Sequence, residues 1–88
     1  MNCEQKQAVR YLKTVKGQIE GILKMLDEER YCIDVSNQIS ASTALLKKAN
    51  VEILQGHLNS CLKTAIENHE DIDDKMNEIH DVMNKIAK

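Results

Sequence analysis

Apolar side chains recur along this chain at the spacing of a helix seam. Ala8, Leu12, Val15, Ile19, Ile22 and Leu26 follow one another at alternating steps of four and three residues, the interval that returns a side chain to one stripe of an α-helix. A first helix is predicted from about residue 4 to residue 29. Gly17 and Gly21 lie one turn apart on it, each at a cost in helix propensity, and are read as a close helix crossing rather than a hinge. Tyr31-Cys32-Ile33 interrupts the pattern, and Asp34 suits the N-cap of a second helix. The seam resumes at Val35, Ile39, Ser42, Leu46, Ala49 and Ile53, with a further row at Leu54, Leu58, Cys61 and Ala65 that only Gly56 interrupts. This second helix should span about 34–66, on the order of 50 Å at the standard rise. Asn68-x-x-Asp71 resembles a capping box, and Ile72, Met76, Ile79, Met83 and Ile86 carry a third helix.

The prediction is an all-α protomer of three unequal helices, with residues 1–88 as a single domain. The chain has no Phe, Trp or Pro and only two Tyr, so aliphatic side chains must do the packing, which suits helix–helix interfaces. A chain of 88 residues buries a modest fraction of its surface and is marginal alone. Much of the long central helix would project beyond its neighbours with apolar rows exposed, and oligomerisation is expected to cover them.

The formal charge of −2 hides two opposed ends. Residues 1–24 hold five basic residues (Lys6, Arg10, Lys13, Lys16, Lys24) against Glu4 and Glu20, a net of +3. Residues 67–81 hold seven carboxylates against Lys75, a net of −6. A basic face is therefore compatible with an acidic chain. No apolar run approaches the roughly 20 residues of a membrane span, and no signal-peptide core precedes the first helix. A cytoplasmic protein is expected, with no membrane partner. In a reducing compartment three cysteines, Cys3, Cys32 and Cys61, point to metal or thiol chemistry more than to disulfides.

Cys32, His57 and Cys61 carry the strongest chemical signal. His57 and Cys61 are four apart on one helix and share a face, a spacing that can set an imidazole nitrogen and a thiolate on one metal. Cys32 lies 25 residues before His57, nearly 40 Å away along an unbroken helix, so one subunit cannot unite the three. An antiparallel partner helix can. Facing Cys32 with the interval between His57 and Cys61 places the two-fold axis near Leu45 and Leu46, sets Ile39 near Ile53 and Ser42 near Ala49, and creates two equivalent intersubunit sites. Two thiolates and one imidazole favour Cu(I), which accepts three-coordination, over Zn(II), which normally takes four ligands. The alternative is two small buried thiols and an unrelated core histidine.

Other candidates divide less sharply. Cys3 belongs to a terminus expected to fray. His69 and His80 stand among acidic residues and read as solvated surface. Tyr31 is either a cap on the core or a hydrogen-bond partner for a ligating histidine. Lys13, Lys16, Lys47 and Lys48 are either an ordinary solvated face or phosphate contacts, and no helix-turn-helix or zinc-finger spacing is present. Catalysis is not expected, because no nucleophile–base pair, apolar-set carboxylate pair or glycine-rich phosphate loop is visible.

The stretches Tyr11-Leu12-Lys13-Thr14-Val15-Lys16-Gly17-Gln18, Tyr31-Cys32-Ile33-Asp34-Val35, Gln38-Ile39-Ser40-Ala41 and Gly56-His57-Leu58-Asn59-Ser60-Cys61 resemble the copper-sensing transcriptional repressor family, CsoR, within the wider CsoR/RcnR superfamily. The match runs without a gap over about residues 8–66. The resemblance implies an antiparallel homodimer that pairs into a homotetramer, binds operator DNA in the apo form and releases it on binding Cu(I). By position, Cys32, His57 and Cys61 match the family's Cu(I) ligands. Tyr31 matches the tyrosine that hydrogen-bonds the ligating histidine, and Glu78 its acidic partner on the third helix. Arg10, Lys13, Lys16, Lys47 and Lys48 are the implied DNA-binding residues. The family usually carries an arginine where this chain has Tyr11; Arg10 points about 100° away on a helix, and Lys48 stands where a second family arginine is common.

Branches of the superfamily separate by residue type. The nickel/cobalt branch has histidine at the position of Cys61, the formaldehyde branch depends on an N-terminal proline, and the persulfide branch lacks the histidine. His57, Cys61 and the absence of proline favour Cu(I). Two alternatives stand beside this reading: a persulfide or other-metal sensor of the same superfamily, in which paired thiols react with sulfane sulfur, and a copper-buffering helical bundle without DNA binding. The latter should line its core with repeated Cys-x-x-x-Cys rows, and the chain has one mixed His57–Cys61 row.

Overall fold

The computed structural model describes residues 1–68 and 72–87, with side chains given for all of these but 72 and 87. It contains three α-helices: α1 (Cys3–Asp27), α2 (Cys32–Asn68) and α3 (Ile72–Ala87). Asn68, the first residue of the predicted capping box, is the last residue of α2, while His69 and Asp71 lie outside the described residues.

Helix α1 begins earlier than the apolar seam suggests because polar groups cap it. The Asn2 side chain accepts from the Gln5 backbone N–H at 2.7 Å, and the Asn2 backbone N–H donates to Gln5 Oε1 at 3.2 Å. This is a reciprocal capping box, so Cys3 opens a capped helix rather than a frayed end. Helix α1 stops at Asp27 because the chain turns left-handed: Glu29 has φ 54°. Its N–H donates to the Leu26 carbonyl at 3.1 Å, and the Arg30 N–H reaches the Met25 carbonyl at 2.9 Å. These are the two bonds of a Schellman stop, normally built on glycine. Relief of the Cβ strain at this position exceeds the extra entropy of glycine. Glu29→Gly should therefore stabilise the fold by about 0.5–1 kcal/mol, read as a raised Tm at fixed protein concentration; an unchanged or lowered Tm would refute the strain.

Helix α2 also starts before its predicted boundary. The Val35 N–H donates to the Tyr31 carbonyl at 3.2 Å, which makes Tyr31 the capping position and Cys32 the first helical residue. Asp34 is not the N-cap; it lies in the first turn, where its carboxylate faces the positive end of the helix dipole. The 37 residues of α2 span about 55 Å.

Helices α1 and α3 each run antiparallel to α2 and pack on opposite sides of it, and among the described residues they do not pack on each other. The protomer is a slab of 58 × 26 × 11 Å, one helix thick. The predicted seam accordingly splits into two heptad rows. Ala8, Val15 and Ile22 of α1 are buried with Val35, Ser42, Ala49 and Gly56 of α2, and Ser42 Oγ donates to Gln18 Oε1 at 2.7 Å. The alternate positions, Leu12, Ile19 and Leu26 on α1 and Ile39, Leu46 and Ile53 on α2, remain between 43% and 55% exposed. On the far side Ala65 and Ile79 are buried between α2 and α3. Ser42 and Ala49, expected beside one another across a two-fold, are covered instead by their own α1.

Gly17 and Gly21 mark no helix crossing: a Cβ at either would meet nothing within 4 Å. They lie on the outer side of α1, turned from the row that meets α2. The close approach is at Gly56, where a Cβ would fall 3.0 Å from Asn2 Nδ2 and 3.1 Å from the Glu4 Cβ. There the first turn of α1 rests on the backbone of α2.

Candidate metal site and basic surface

The uncovered row of α2 organises the chemistry. Leu46 is its middle residue, with Ile39 and Ile53 one heptad away on either side. Cys32 is one heptad before Ile39 and His57 one turn after Ile53, with Cys61 a turn further. Residues at these intervals return to nearly the same side of a helix. The three candidate ligands thus flank a self-complementary apolar row, Cys32 at one end and the His57–Cys61 pair at the other. Along α2 the Cys32–His57 separation is about 38 Å. Among the described residues no three His, Cys, Asp or Glu side chains gather to hold a metal within one protomer.

Both ends are accessible. Cys32 and His57 are exposed and Cys61 is half-buried, and all three cysteines are free thiols. Within the protomer, then, Cys32 is not a buried thiol and His57 not a core histidine, while Cys61 is partly covered. Tyr31 is 69% exposed, so it does not cap the core of its own protomer. Glu78 is exposed and precedes the buried Ile79 by one position, a rotation of about 100°. In a helix antiparallel to α2 that rotation carries Glu78 toward the face bearing Leu46. His80 turns the other way and lines a hollow with Lys47, Val51, Met83, Asn84 and Ile86 on the opposite face.

The two broad faces of the slab differ in character. Leu12, Leu46, Ala49, Asn50 and Ile53 line an open, largely apolar hollow of about 340 Å³ on one. Tyr11, Lys47, Lys48, Val51 and Glu52 line a hollow of about 380 Å³ on the other. Lys47 and Lys48 are thus brought together with Tyr11, the position where the resembling family carries arginine. Arg10, Lys13 and Lys16 are exposed on α1 and form no single cluster, since steps of three residues turn each about 60° from the last. Arg10 reaches Gln7 Oε1 at 3.5 Å.

A contact at the Cys61 end escaped the sequence reading. Asn59 Nδ2, between His57 and Cys61 in the chain, donates to Glu4 Oε1 at 2.9 Å. With the seating of Asn2 and Glu4 on Gly56, this clasps the start of α1 to the ligand-bearing turn of α2. The Asn2-x-x-Gln5 capping signature was visible in the chain; a partner 55 positions away was not.

A chain of three antiparallel-packed helices, with two thiols and an imidazole set at the ends of an uncovered face, has the layout of a helical metal sensor. The family model described as "metal-sensitive transcriptional repressor" matches residues 4–85, and the chain belongs to that family. A copper-sensing transcriptional repressor CsoR of Mycobacterium tuberculosis is 41% identical over 66 residues, covering 75% of this chain and 56% of the relative, so the match spans little more than half of the mycobacterial protein. CsoR of Bacillus subtilis is 35% identical over 85 residues, covering 97% of this chain and 83% of the relative. The crystal structure of the copper-sensing repressor CsoR with Cu(I) from Geobacillus thermodenitrificans superposes with a TM-score of 0.76 at 34% identity, covering 100% of this chain and 91% of the other. No helix among the described residues is long and apolar enough to cross a membrane.

Proposed function

We propose that this protein is a cytoplasmic, Cu(I)-responsive transcriptional repressor whose apo form holds operator DNA and whose Cu(I) form lets it go. The observation that carries the reading is the uncovered row Ile39–Leu46–Ile53 with Cys32 at one end and His57 and Cys61 at the other. Two copies of α2 laid antiparallel about Leu46 bury that row against itself, with Leu12, Ile19 and Leu26 of both α1 helices closing a four-helix bundle. Pairing residue 46 with itself brings each Cys32 opposite position 60, between the partner's ligand positions. Two such dimers pair into a tetramer.

The donor set fits the ion. Cys32, His57 and Cys61 supply two soft sulfurs and one nitrogen, suited to Cu(I) and one ligand short of a structural zinc site. When bound, Cu(I) supplies a bond network that ties two subunits together. The chain supplies the rest: α2 fixes His57 and Cys61 one turn apart, the first turn of the partner's α2 presents Cys32, and Tyr31 beside that Cys32, with Glu78, would orient His57 by hydrogen bonds from behind. Arg10, Lys13, Lys16, Lys47 and Lys48 meet the phosphate backbone, with Tyr11 and Lys48 offering no bidentate guanidinium.

Anisotropy titration of a duplex from the protein's own promoter tests the reading. The apo protein should bind with an affinity that falls steeply with salt, and one equivalent of Cu(I) per protomer should weaken binding by about 5–150-fold. X-ray absorption of the loaded protein should count two sulfur neighbours and one nitrogen. DNA affinity indifferent to Cu(I) would overturn the repressor mechanism, and DNA binding absent altogether would favour a buffering bundle.

A further inference from the structure

The turn of α2 that bears His57 and Cys61 is gripped from behind by α1. Gly56 precedes His57, and Asn59 lies midway between the ligands; both face the first turn of α1 rather than the uncovered row, Asn59 being about 160° around the helix from Cys61. The grip has two parts. Asn2 and Glu4 seat directly on Gly56, at distances a Cβ could not tolerate without displacing them, and Glu4 Oε1 accepts from Asn59 Nδ2 at 2.9 Å. The seating covers Gly56 at the end of the buried row of α2, whereas the Glu4–Asn59 bond is exposed and adds nothing to the core. From Cys3 to Asp27, α1 is one unbroken helix, so a displacement of its first turn is carried to Arg10, Lys13 and Lys16 one to four turns away.

We infer that Glu4 and Asn59 are positioning residues for the metal response, forming with Gly56 a mechanical link from the ligand-bearing turn to α1 and the basic residues it carries. The inference rests on the proposed Cu(I)-responsive repressor. Drawing His57 and Cys61 toward the partner's Cys32 rotates and pulls the turn 56–61 away from the side on which α1 holds it. With the clasp intact α1 must follow; with the clasp cut the ligands close on the metal while α1 stays behind. Metal affinity and DNA affinity are then each preserved, and the coupling between them is lost.

The test compares the full-length wild type with Glu4→Ala, Asn59→Ala and the reversed pair Glu4→Gln/Asn59→Asp, in which the amide donates and the carboxylate accepts. Cu(I) affinity is measured by competition with a chromophoric chelator, and promoter-duplex affinity by anisotropy with and without Cu(I). Both alanine variants should keep each separate affinity within about twofold while the Cu(I)-induced loss of DNA binding shrinks about fivefold, the scale of one solvent-exposed hydrogen bond. The reversed pair should restore it. Hydrogen exchange of the amides of residues 3–6 supplies a readout without DNA: it should change on Cu(I) loading in the wild type and not in Asn59→Ala. Full coupling in both alanine variants, a parallel fall in Cu(I) affinity, or failure of the reversed pair to rescue would each overturn the link. A wild type that binds Cu(I) and DNA independently would instead remove the repressor reading itself, and the link with it.

Discussion

A Cys32→Ala homodimer should bind Cu(I) more than about a hundredfold more weakly than the wild type, since loss of even an indirect partner of a metal ligand costs 10–100-fold. A His57→Ala/Cys61→Ala homodimer should fail as badly. Mixed as unfolded chains and refolded together, the two variants should recover tight binding at half the wild-type stoichiometry within the hybrid. The hybrid pairs one intact Cys32 with one intact His57–Cys61 turn, and its second site lacks every ligand. Recovery follows from distance alone: about 38 Å of rigid helix separates Cys32 from His57 in one chain, so complementation requires two. Tight Cu(I) binding by the Cys32→Ala homodimer, or by an isolated protomer, would sink the intersubunit site. The measurement is a chelator competition on the hybrid isolated through two different affinity tags.

Placing a carboxylate at the middle of the uncovered row should have the second large effect. Leu46 is 44% exposed in the protomer, which leaves roughly 2 kcal/mol of apolar burial to be gained per copy on pairing. In Leu46→Glu that gain disappears twice, and two like charges meet at the two-fold axis with no counter-ion. Dimer dissociation should rise by on the order of a thousandfold. Sedimentation equilibrium over a dilution series reads this directly. The same charge at Lys48, on the opposite face of α2, should leave dimerisation intact, and this control separates a face-specific effect from general loss of helix stability. Dimers of undiminished affinity in Leu46→Glu would place the interface elsewhere.

How far these features were legible in the chain depends on what kind of signal each leaves. The three helices were visible because the 4-3 spacing persists through 8–26, 35–53 and 72–86, and aliphatic periodicity is a local property. What the spacing could not say was which alternate position of the seam each protomer covers itself. Val15 and Ile19 are equally apolar, yet Val15 is 3% exposed and Ile19 49%, because only the crossing of α1 on α2 distinguishes them. Helix ends were misplaced by two residues where backbone bonds overrode side-chain signals: Asp34 looked like a cap, but the Tyr31 carbonyl takes the first helical bond. Glycine spacing is no better a guide to close approach, which depends on the side of the helix that meets a neighbour. Gly17 and Gly21 form a pair in sequence, yet the solitary Gly56 has a neighbour at its Cα.

The chemistry was more legible than the contacts that serve it. Cys32, His57 and Cys61 stand out by residue type, and the 38 Å problem is arithmetic on helix rise. Glu4 and Asn59 are ordinary polar residues, and only the fold makes them neighbours. Tyr11 departs from the family pattern by residue type alone; that it shares a hollow with Lys47 and Lys48 depends on how α1 packs against α2.

A slab 11 Å thick buries only the seams between neighbouring helices and leaves both of its broad faces open. On the proposed pairing a second copy covers the open row of α2, so the persistence of each chain becomes a question of how many copies the cell holds. Folded population then rises with the square of synthesis near the assembly threshold rather than in proportion to it. A regulator built this way vanishes sharply when its production falls, and stray single chains present a greasy flank to proteases and chaperones.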